Sequence, residues 1–218
     1  MESRDLHAAH AAFRLAELRS ALRSGAPMSD RAFDAVLFPT HLCERSSTFW
    51  TPIDVASRVV ELLGVTRTSR VLDIGSGVGK FCIVGAATTQ ACFVGVERRA
   101  HLVDVALAAA TRARASTARF VHGDFSTVDI ESFDGVYLFN PFEENVWSSD
   151  ERLDDTVPMS LAKARADIAC AEEMLARAHR GTRVVTYHGF GGDIPASYKH
   201  LLSEPHGNGD LDLWIKVS

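Results

Sequence analysis

The feature that most constrains the fold of this chain is a short apolar run that leads into three glycines at alternate positions, residues 71–79. The run at 71–74 is typical of a buried strand, and the small residues from 80 to about 89 predict a helix directly after the glycines. A strand, a glycine turn and a helix in this order bring bare backbone close to a ligand at the carboxyl end of a parallel strand. The run therefore predicts an α/β fold with a ligand-binding turn.

A second apolar run, at 93–96, ends in the acidic residue Glu97, about twenty positions after the middle glycine. A carboxylate at the tip of a strand can accept a hydrogen bond from each of the two hydroxyls of a ribose. The glycine turn and Glu97 together predict a cofactor that contains a nucleoside. Each feature also has a purely structural explanation, a plain turn for the glycines and a helix cap or solvated charge for the acid.

The glycine spacing distinguishes between two classes of cofactor. The dinucleotide fingerprint is G-x-G-x-x-G, whereas this chain has Gly75, Gly77 and Gly79, with Asp73 two positions before the first of them. In this pattern the chain resembles the class I S-adenosylmethionine (SAM)-dependent methyltransferases, from residue 51 to the carboxyl terminus. The resemblance implies SAM as the cofactor and S-adenosylhomocysteine (SAH) as its product.

Later motifs carry the same resemblance. It implies that Asp124, after the third predicted strand, accepts a hydrogen bond from the exocyclic amine of adenine, while Phe125 packs on the adenine or in the core. Asn140-Pro141-Phe142 stands at the fourth family motif, beside the transferred methyl group. The residues to which the resemblance assigns a cofactor-binding role are Thr51, Asp73, Gly75, Ser76, Gly77, Gly79, Glu97, Arg98, Asp124, Phe125 and Asn140.

Asn140-Pro141-Phe142 is also similar to the (Asn/Asp)-Pro-Pro-(Tyr/Phe) motif of methyltransferases that modify planar amino nitrogens in adenine, cytosine or glutamine. That similarity implies that the Asn side chain and a proline carbonyl accept hydrogen bonds from the acceptor amine, and that the aromatic ring stacks on it. This chain departs from the motif, because Phe142 stands where the second proline would be. Thr51-Pro52 is similar to a segment that precedes the first motif in the adenine-N6 enzymes.

A second resemblance is to the non-SET histone-lysine methyltransferases, in the Asp-x-Gly-Ser-Gly-x-Gly pattern at 73–79 and in Gly95-Val96-Glu97. It implies a cationic acceptor, which the acidic segment at 143–155 would attract; the alternative is a solvated loop before a helix. His188, after the fifth predicted strand, is either a base near neutral pH or a loop histidine bonded to backbone. The candidate catalytic residues are Asn140, Pro141, Phe142 and His188, and the candidate aromatic walls are Trp50 and Trp147.

Composition and charge limit the partners. The 218 residues carry 28 acidic and 23 basic side chains. This net charge of −5 argues against a protein that binds long nucleic acids through their phosphates. One basic stretch is expected to be a solvated face: Arg98, Arg99, Arg112, Arg114 and Arg119. Nine histidines without zinc-ligand spacing argue against a metal site. We therefore expect a small-molecule or protein substrate and no membrane partner. The sequence leaves the oligomeric state open between a monomer and a homodimer.

The cysteines and the amino terminus favour a cytoplasmic protein. The four cysteines form no C-x-x-C pair and are expected to be free, buried thiols in a reducing compartment. No run reaches the roughly 18 uninterrupted apolar residues of a membrane span. The amino terminus lacks the apolar run of a secretion signal.

The order of predicted elements indicates a doubly wound α/β fold, with a mainly parallel seven-stranded sheet and a terminal antiparallel hairpin. The predicted strands are 70–74, 92–96, 119–122, 134–139, 182–187, 198–204 and 211–217. The predicted helices are 5–24, 30–37, 52–63 with Thr51 as N-cap, 80–89, 99–116 and 157–178, while 38–50 is predicted to be loop. Residues 1–50 are predicted to form a helical cap, before a methyltransferase domain at 51–218. This segment either covers the cofactor pocket or simply packs as extra or dimer-forming helices.

The predicted function is in-line transfer of a methyl group from SAM to the nitrogen of a small-molecule or protein amine. Three alternatives stay open: a nucleic-acid amino-methyltransferase, a SAM-binding accessory or sensor protein without turnover, and an NAD-dependent oxidoreductase. The glycine spacing, together with Gly123-Asp124 and Asn140-Pro141-Phe142, counts against the oxidoreductase.

Overall fold

The computed structural model describes the backbone of residues 2–218 and the side chains from residue 9 onward. One sheet is built from β1 (Arg70–Ile74), β2 (Cys92–Glu97), β3 (Ala118–His122), β4 (Gly135–Phe139), β5 (Arg183–Tyr187), β6 (Tyr198–His206) and β7 (Gly209–Lys216). The strand order is β3-β2-β1-β4-β5-β7-β6, and β7 runs antiparallel to both of its neighbours while the other pairs are parallel. The prediction of a doubly wound, mainly parallel sheet with a terminal hairpin is confirmed.

Helices cover both faces of this sheet. They are α1 (Glu2–Ser24), α2 (Asp30–Leu37), α3 (Thr40–Cys43), α4 (Ser46–Phe49), α5 (Ile53–Leu63), α6 (Lys80–Thr89), α7 (Ala100–Ala113) and α8 (Leu161–Arg177). Val71 of β1 packs in the core under α5, α6 and α7, whereas Leu72 and Ile74 point to the opposite face and pack with α8. This alternation follows from the two-residue period of a strand, and burial on both faces explains why Val71, Leu72 and Ile74 of β1 are all apolar.

Several local features differ from the sequence prediction. Helix α5 begins at Ile53 with Pro52 at the N-cap position, so Thr51 is not the cap; its hydroxyl instead lies 3.2 Å from the hydroxyl of Tyr137 in the core. The segment 38–50 is not all loop, because it contains the single-turn helices α3 and α4, which are too short to leave a periodic pattern. Helix α8 begins only at Leu161, since the Ser160 hydroxyl accepts a hydrogen bond from the Lys163 N–H (3.1 Å) and caps it.

The amino-terminal helices share a core with the sheet. Leu18 and Leu22 of α1 and Phe33 of α2 are buried in the same apolar cluster as Val71. Lys80, the first residue of α6, forms an ion pair with Asp34 of α2 (2.9 Å). The division of the chain at residue 50 into a cap and a domain stays a prediction.

The thiols are free, as expected, but only one of them is buried. Cys82 lies in the core, whereas Cys43, Cys92 and Cys170 are half-buried, so the expectation of burial is wrong for these three. Within residues 2–218, no helix combines the length and the apolar character that crossing a membrane requires.

Candidate functional site

A cavity opens at the carboxyl ends of β1, β2 and β4, where the sequence predicts a ligand. It encloses about 910 Å³ when the open space at its mouth is included. Its walls come from the glycine turn after β1, the end of β2, the loops after β3 and β4, and residues of α4, α7 and α8. Because the carboxyl ends of parallel strands meet at one edge of a sheet, residues far apart in the sequence converge here.

The glycine turn forms one wall of the cavity with bare backbone. Gly75 and Gly77 both have positive φ angles, +76° and +53°, which favour glycine. A Cβ on Gly77 would lie 2.5 Å from the ring of Trp50, and a Cβ on Gly75 would lie 3.0 Å from Cβ of Pro141. The two glycines therefore let Trp50 and Pro141 close on the turn. Gly79 does not line the cavity, because it packs against Phe120 behind the turn.

Three residues predicted to bind the cofactor lie in a smaller neighbouring cavity. Thr51, Asp73 and Ser76 line it together with Lys80. The Ser76 hydroxyl is buried and has no hydrogen-bond partner within the described part of the chain. The carboxylate of Asp73 accepts a hydrogen bond from the Cys82 thiol (3.4 Å), and burial raises the pKa of Asp73 to about 7. Asp73 is thus bonded to α6, behind the turn, and its predicted role in cofactor binding stays a prediction.

The raised pKa of Asp73 predicts a pH-dependent stability. In the unfolded chain this carboxyl loses its proton near its ordinary pKa of 3.8, whereas the folded protein retains it up to about 7. Between these values the folded state binds more protons, so the free energy of unfolding should fall by a few kcal/mol as the pH rises from about 4 to about 7. Asp73→Asn should remove this component, because the amide does not titrate and still accepts from Cys82.

The measurement is urea unfolding of both proteins at several pH values between about 4.5 and 8. The free energy of unfolding of the wild type minus that of Asp73→Asn should decrease with rising pH and level off above about pH 7. A difference that is constant over this range would show that Asp73 ionises in the folded protein as it does in the unfolded chain.

Glu97 joins the glycine turn to the end of β2. Its carboxylate accepts hydrogen bonds from the backbone N–H of Gly77 (3.1 Å) and from that of Arg99 (2.8 Å). The side chain is buried and lines the cavity. An ionised carboxylate has about four acceptor positions, so Glu97 retains capacity for hydroxyl donors from a ligand.

Asn140 and Pro141 lie at the end of β4, opposite the glycine turn. The backbone of Asn140 has a φ of +39° and donates a hydrogen bond to the carbonyl of Gly189 (3.0 Å). Its side-chain Nδ2 donates to Oε2 of Glu143, which leaves Oδ1 as the group that can accept from a ligand. Glu143 is exposed and lines the cavity, and it forms no salt bridge with any described residue.

Phe142 and Phe125 pack against each other at the floor of the cavity. Their ring centroids are 5.4 Å apart, and both rings are buried in the apolar core under α8. Because only 4% of Phe142 is exposed, its ring faces the core more than the cavity. The aromatic groups nearer the mouth are Phe49 and Trp147, which meet edge to face at 5.6 Å, with Trp50 beside them.

The remaining predicted site residues lie in different places. Arg98 lines the cavity and pairs with Asp167 of α8 (3.3 Å). Asp124 does not line it: one oxygen accepts from the Ser126 N–H (3.0 Å) and the other pairs with Lys163 (3.2 Å). His188 is exposed and also outside the lining; its ring packs against Phe139, Tyr187 and Gly209 at the hairpin.

The prediction of a solvated basic face is wrong for Arg99. This side chain is buried, lines the cavity, and pairs with Glu144 (2.7 Å) and Asp154 (3.1 Å). The acidic segment at 143–155 is therefore held against the start of α7 by two ion pairs rather than being wholly a solvated loop.

Sequence reasoning missed two cavity residues, Asn145 and Asp167. Both are buried and line the cavity, Asn145 from the loop after β4 and Asp167 from α8. The signal for Asp167 is its position three residues after Ala164 and four before Ala171, which places a carboxylate on the buried face of the helix. No sequence pattern indicates Asn145.

Comparison with known proteins supports the predicted resemblance. A family model described as a methyltransferase domain matches residues 71–157, which include the glycine turn, Glu97 and Asn140. No curated protein sequence matches the chain.

Several solved structures share the fold. An RNA methyltransferase from Salinibacter ruber in complex with SAH is 24% identical, with a TM-score of 0.58 over 77% of this chain and 93% of that one. TrmN from Thermus thermophilus is 15% identical, with a TM-score of 0.58 over 77% of this chain and 49% of its own. A mutant of MtNAS in complex with SAM is 15% identical, with a TM-score of 0.53 over 93% of this chain and 73% of that one. The family model and the fold confirm the resemblance to class I SAM-dependent methyltransferases; the finer motif comparisons stay predictions.

Proposed function

From the methyltransferase-domain match and the class I fold, we propose that this chain is a SAM-dependent enzyme that methylates the nitrogen of a small-molecule or protein amine. The observation that carries the proposal is one cavity into which the bare glycine turn, the Glu97 carboxylate and the Asn140 amide converge. The glycines of this turn, Gly75, Gly77 and Gly79, do not have the G-x-G-x-x-G spacing of a dinucleotide site.

The residues present fit a nucleoside sulfonium cofactor. The glycine turn lines the cavity with bare backbone, and Trp50 and Pro141 lie against it where side chains on Gly77 and Gly75 would otherwise stand. Glu97 is placed to accept from the ribose hydroxyls, and Phe125 provides an apolar surface for the base. When bound, the cofactor supplies an electrophilic methyl group on a positively charged sulfur.

An amine acceptor is favoured by the groups around Asn140. Nδ2 of Asn140 already donates to Glu143, so its Oδ1 can accept a hydrogen bond from an N–H of the amine that receives the methyl group. The carboxylate of Glu143 attracts a cationic amine, and its Oε1 can take the proton that the nitrogen must lose before it becomes a nucleophile. Trp50, Phe49 and Trp147 shield the site from water, which an in-line displacement requires.

Loss of the Glu97 carboxylate should weaken SAM binding. Glu97→Ala removes the acceptor for the ribose hydroxyls and releases the N–H of Gly77, so we expect a loss of about 1–3 kcal/mol, roughly a 5- to 150-fold higher Kd. Isothermal titration with SAM measures it. Glu97→Gln retains one acceptor oxygen and should lose less. An unchanged Kd in Glu97→Ala would exclude the ribose role.

The proposal is tested by calorimetry with SAM, SAH and NAD, followed by transfer of a labelled methyl group to amines, peptides and nucleic acids. Micromolar binding of SAM and SAH and label transfer to an amine are the expected results. Transfer to nucleic acid alone would favour the amino-methyltransferase of nucleic acids. Binding without transfer to any acceptor would indicate an accessory or sensor protein, and binding of NAD alone would overturn the cofactor assignment.

A further inference from the structure

Asp167 places a buried carboxylate in the wall of the cavity, which Gly123 and Phe125 also line. Its side chain is only 5% exposed, although it comes from the middle of α8. A carboxylate so far from solvent is expected to be paired, and it has no place in the apolar packing of α8 against the sheet. Its position in the wall of a ligand cavity calls for a functional explanation.

Two cations fix the orientation of this carboxylate. Oδ2 lies 3.3 Å from Nη1 of Arg98, and Oδ1 is bonded to Nζ of Lys163. The same Nζ lies 3.2 Å from Oδ2 of Asp124, so the two carboxylates are neighbours bridged by one ammonium group. Each oxygen of Asp167 has one such partner and can accept a further hydrogen bond from a ligand.

Asp124, the acid at the family position, is already engaged outside the cavity. Its oxygens accept from the Ser126 N–H and from Lys163, it is more than a third exposed as a side chain, and it does not line the cavity wall. Of these two neighbouring carboxylates, the one that lines the cavity is therefore that of Asp167.

A second acceptor lies in the same cavity. Nδ2 of Asn145 donates to the carbonyl of Phe142 (3.0 Å), which fixes the orientation of the amide, and its Oδ1 has no partner among the described residues. A buried carbonyl oxygen without a partner is unfavourable, so a hydrogen-bond donor beside it would be stabilising. Asn145 and Asp167 thus both contribute acceptor oxygens around this cavity.

We propose that Asp167, oriented by Arg98 and Lys163, accepts a hydrogen bond from the exocyclic amine of the cofactor base and selects an amino over an oxo base. The inference rests on the proposed function, because it needs a nucleoside cofactor in this cavity. It assigns base recognition to α8 and leaves Asp124 the role of holding Lys163. An oxo base presents an acceptor in place of the amine and would face the carboxylate unfavourably.

The test compares the Kd of SAH with that of S-inosyl-L-homocysteine, in which an oxo group replaces the amine, by calorimetry. The wild type should prefer SAH by roughly 10- to 100-fold, as expected for a hydrogen bond to a charged acceptor. In Asp167→Asn the preference should fall to about threefold or less, because a carboxamide can donate to the oxo group. The matched control Asp124→Asn should keep the wild-type ratio within about threefold.

The inference would be overturned if the preference for SAH over S-inosyl-L-homocysteine were lost in Asp124→Asn and kept in Asp167→Asn. It would also be overturned if the wild type bound both compounds equally well. If Asp167→Asn does not fold, Asp167→Glu replaces it; displacing the carboxylate by one methylene should lower the ratio at least threefold, and an unchanged ratio overturns the inference. Failure of the wild type to bind SAH at all would instead refute the proposed function.

Discussion

Replacing Lys80 by Met should destabilise the protein by about 3–5 kcal/mol, the cost of leaving one partner of a buried ion pair without its counter-charge. Lys80 is 2% exposed, and its Nζ lies 2.9 Å from Oδ1 of Asp34, whose side chain is 3% exposed. It also contacts Asp30 and the Ser46 hydroxyl. Methionine fills a similar volume but cannot neutralise Asp34, so the carboxylate would remain buried and unpaired or would pull α2 away from α6.

Urea unfolding measures this change, and Arg58→Met is the matched control. Arg58 pairs with Glu204 (2.6 Å) at a partly exposed position, where an ion pair contributes about 0–1 kcal/mol. The double variant Lys80→Met/Asp34→Leu should recover much of the lost stability, because it removes both charges together. Equal losses in Lys80→Met and Arg58→Met would mean that the buried pair contributes no more than a surface pair.

Asn140→Ala should lower turnover by roughly 10²- to 10³-fold, the effect of removing one preorganised polar group from a reacting centre. In the proposed function its side-chain Oδ1 accepts a hydrogen bond from the N–H of the methyl acceptor. Its backbone has a positive φ and donates a hydrogen bond to the carbonyl of Gly189. The proposed function assigns SAM binding mainly to the glycine turn and Glu97, so the Kd of SAM should change less than about threefold. Single-turnover methyl transfer and calorimetry separate the two effects.

His188→Ala provides the comparison for Asn140. Its ring lies outside the cavity against Phe139 and Tyr187, so turnover should stay within about twofold of wild type. A large loss in His188→Ala, with a changed pH profile, would show that the loop after β5 moves to bring this base to the acceptor. A weakened SAM Kd with normal turnover in Asn140→Ala would place Asn140 in the cofactor site alone.

Much of the fold could be predicted because its signals are local. The strand at 70–74 and the helix at 80–89 have the predicted bounds, since an apolar run and a glycine turn constrain consecutive residues directly. The single-turn helices α3 and α4 could not be predicted, because four residues leave no periodic pattern. Helix α8 begins later than predicted, because the cap at Ser160 decides where the first turn forms.

The sequence by itself determined where the strands fall along the chain, the glycine turn, and the positions of Glu97 and Asn140 at strand ends. Each of these follows from a pattern within a few residues. Only the tertiary structure decided where the other site residues face. Arg99 is buried and pairs with Glu144, Asp124 pairs with Lys163, and Asp167 of α8 lines the cavity. The direction of a charged side chain depends on which partner can compensate its desolvation, and those partners lie far away along the chain.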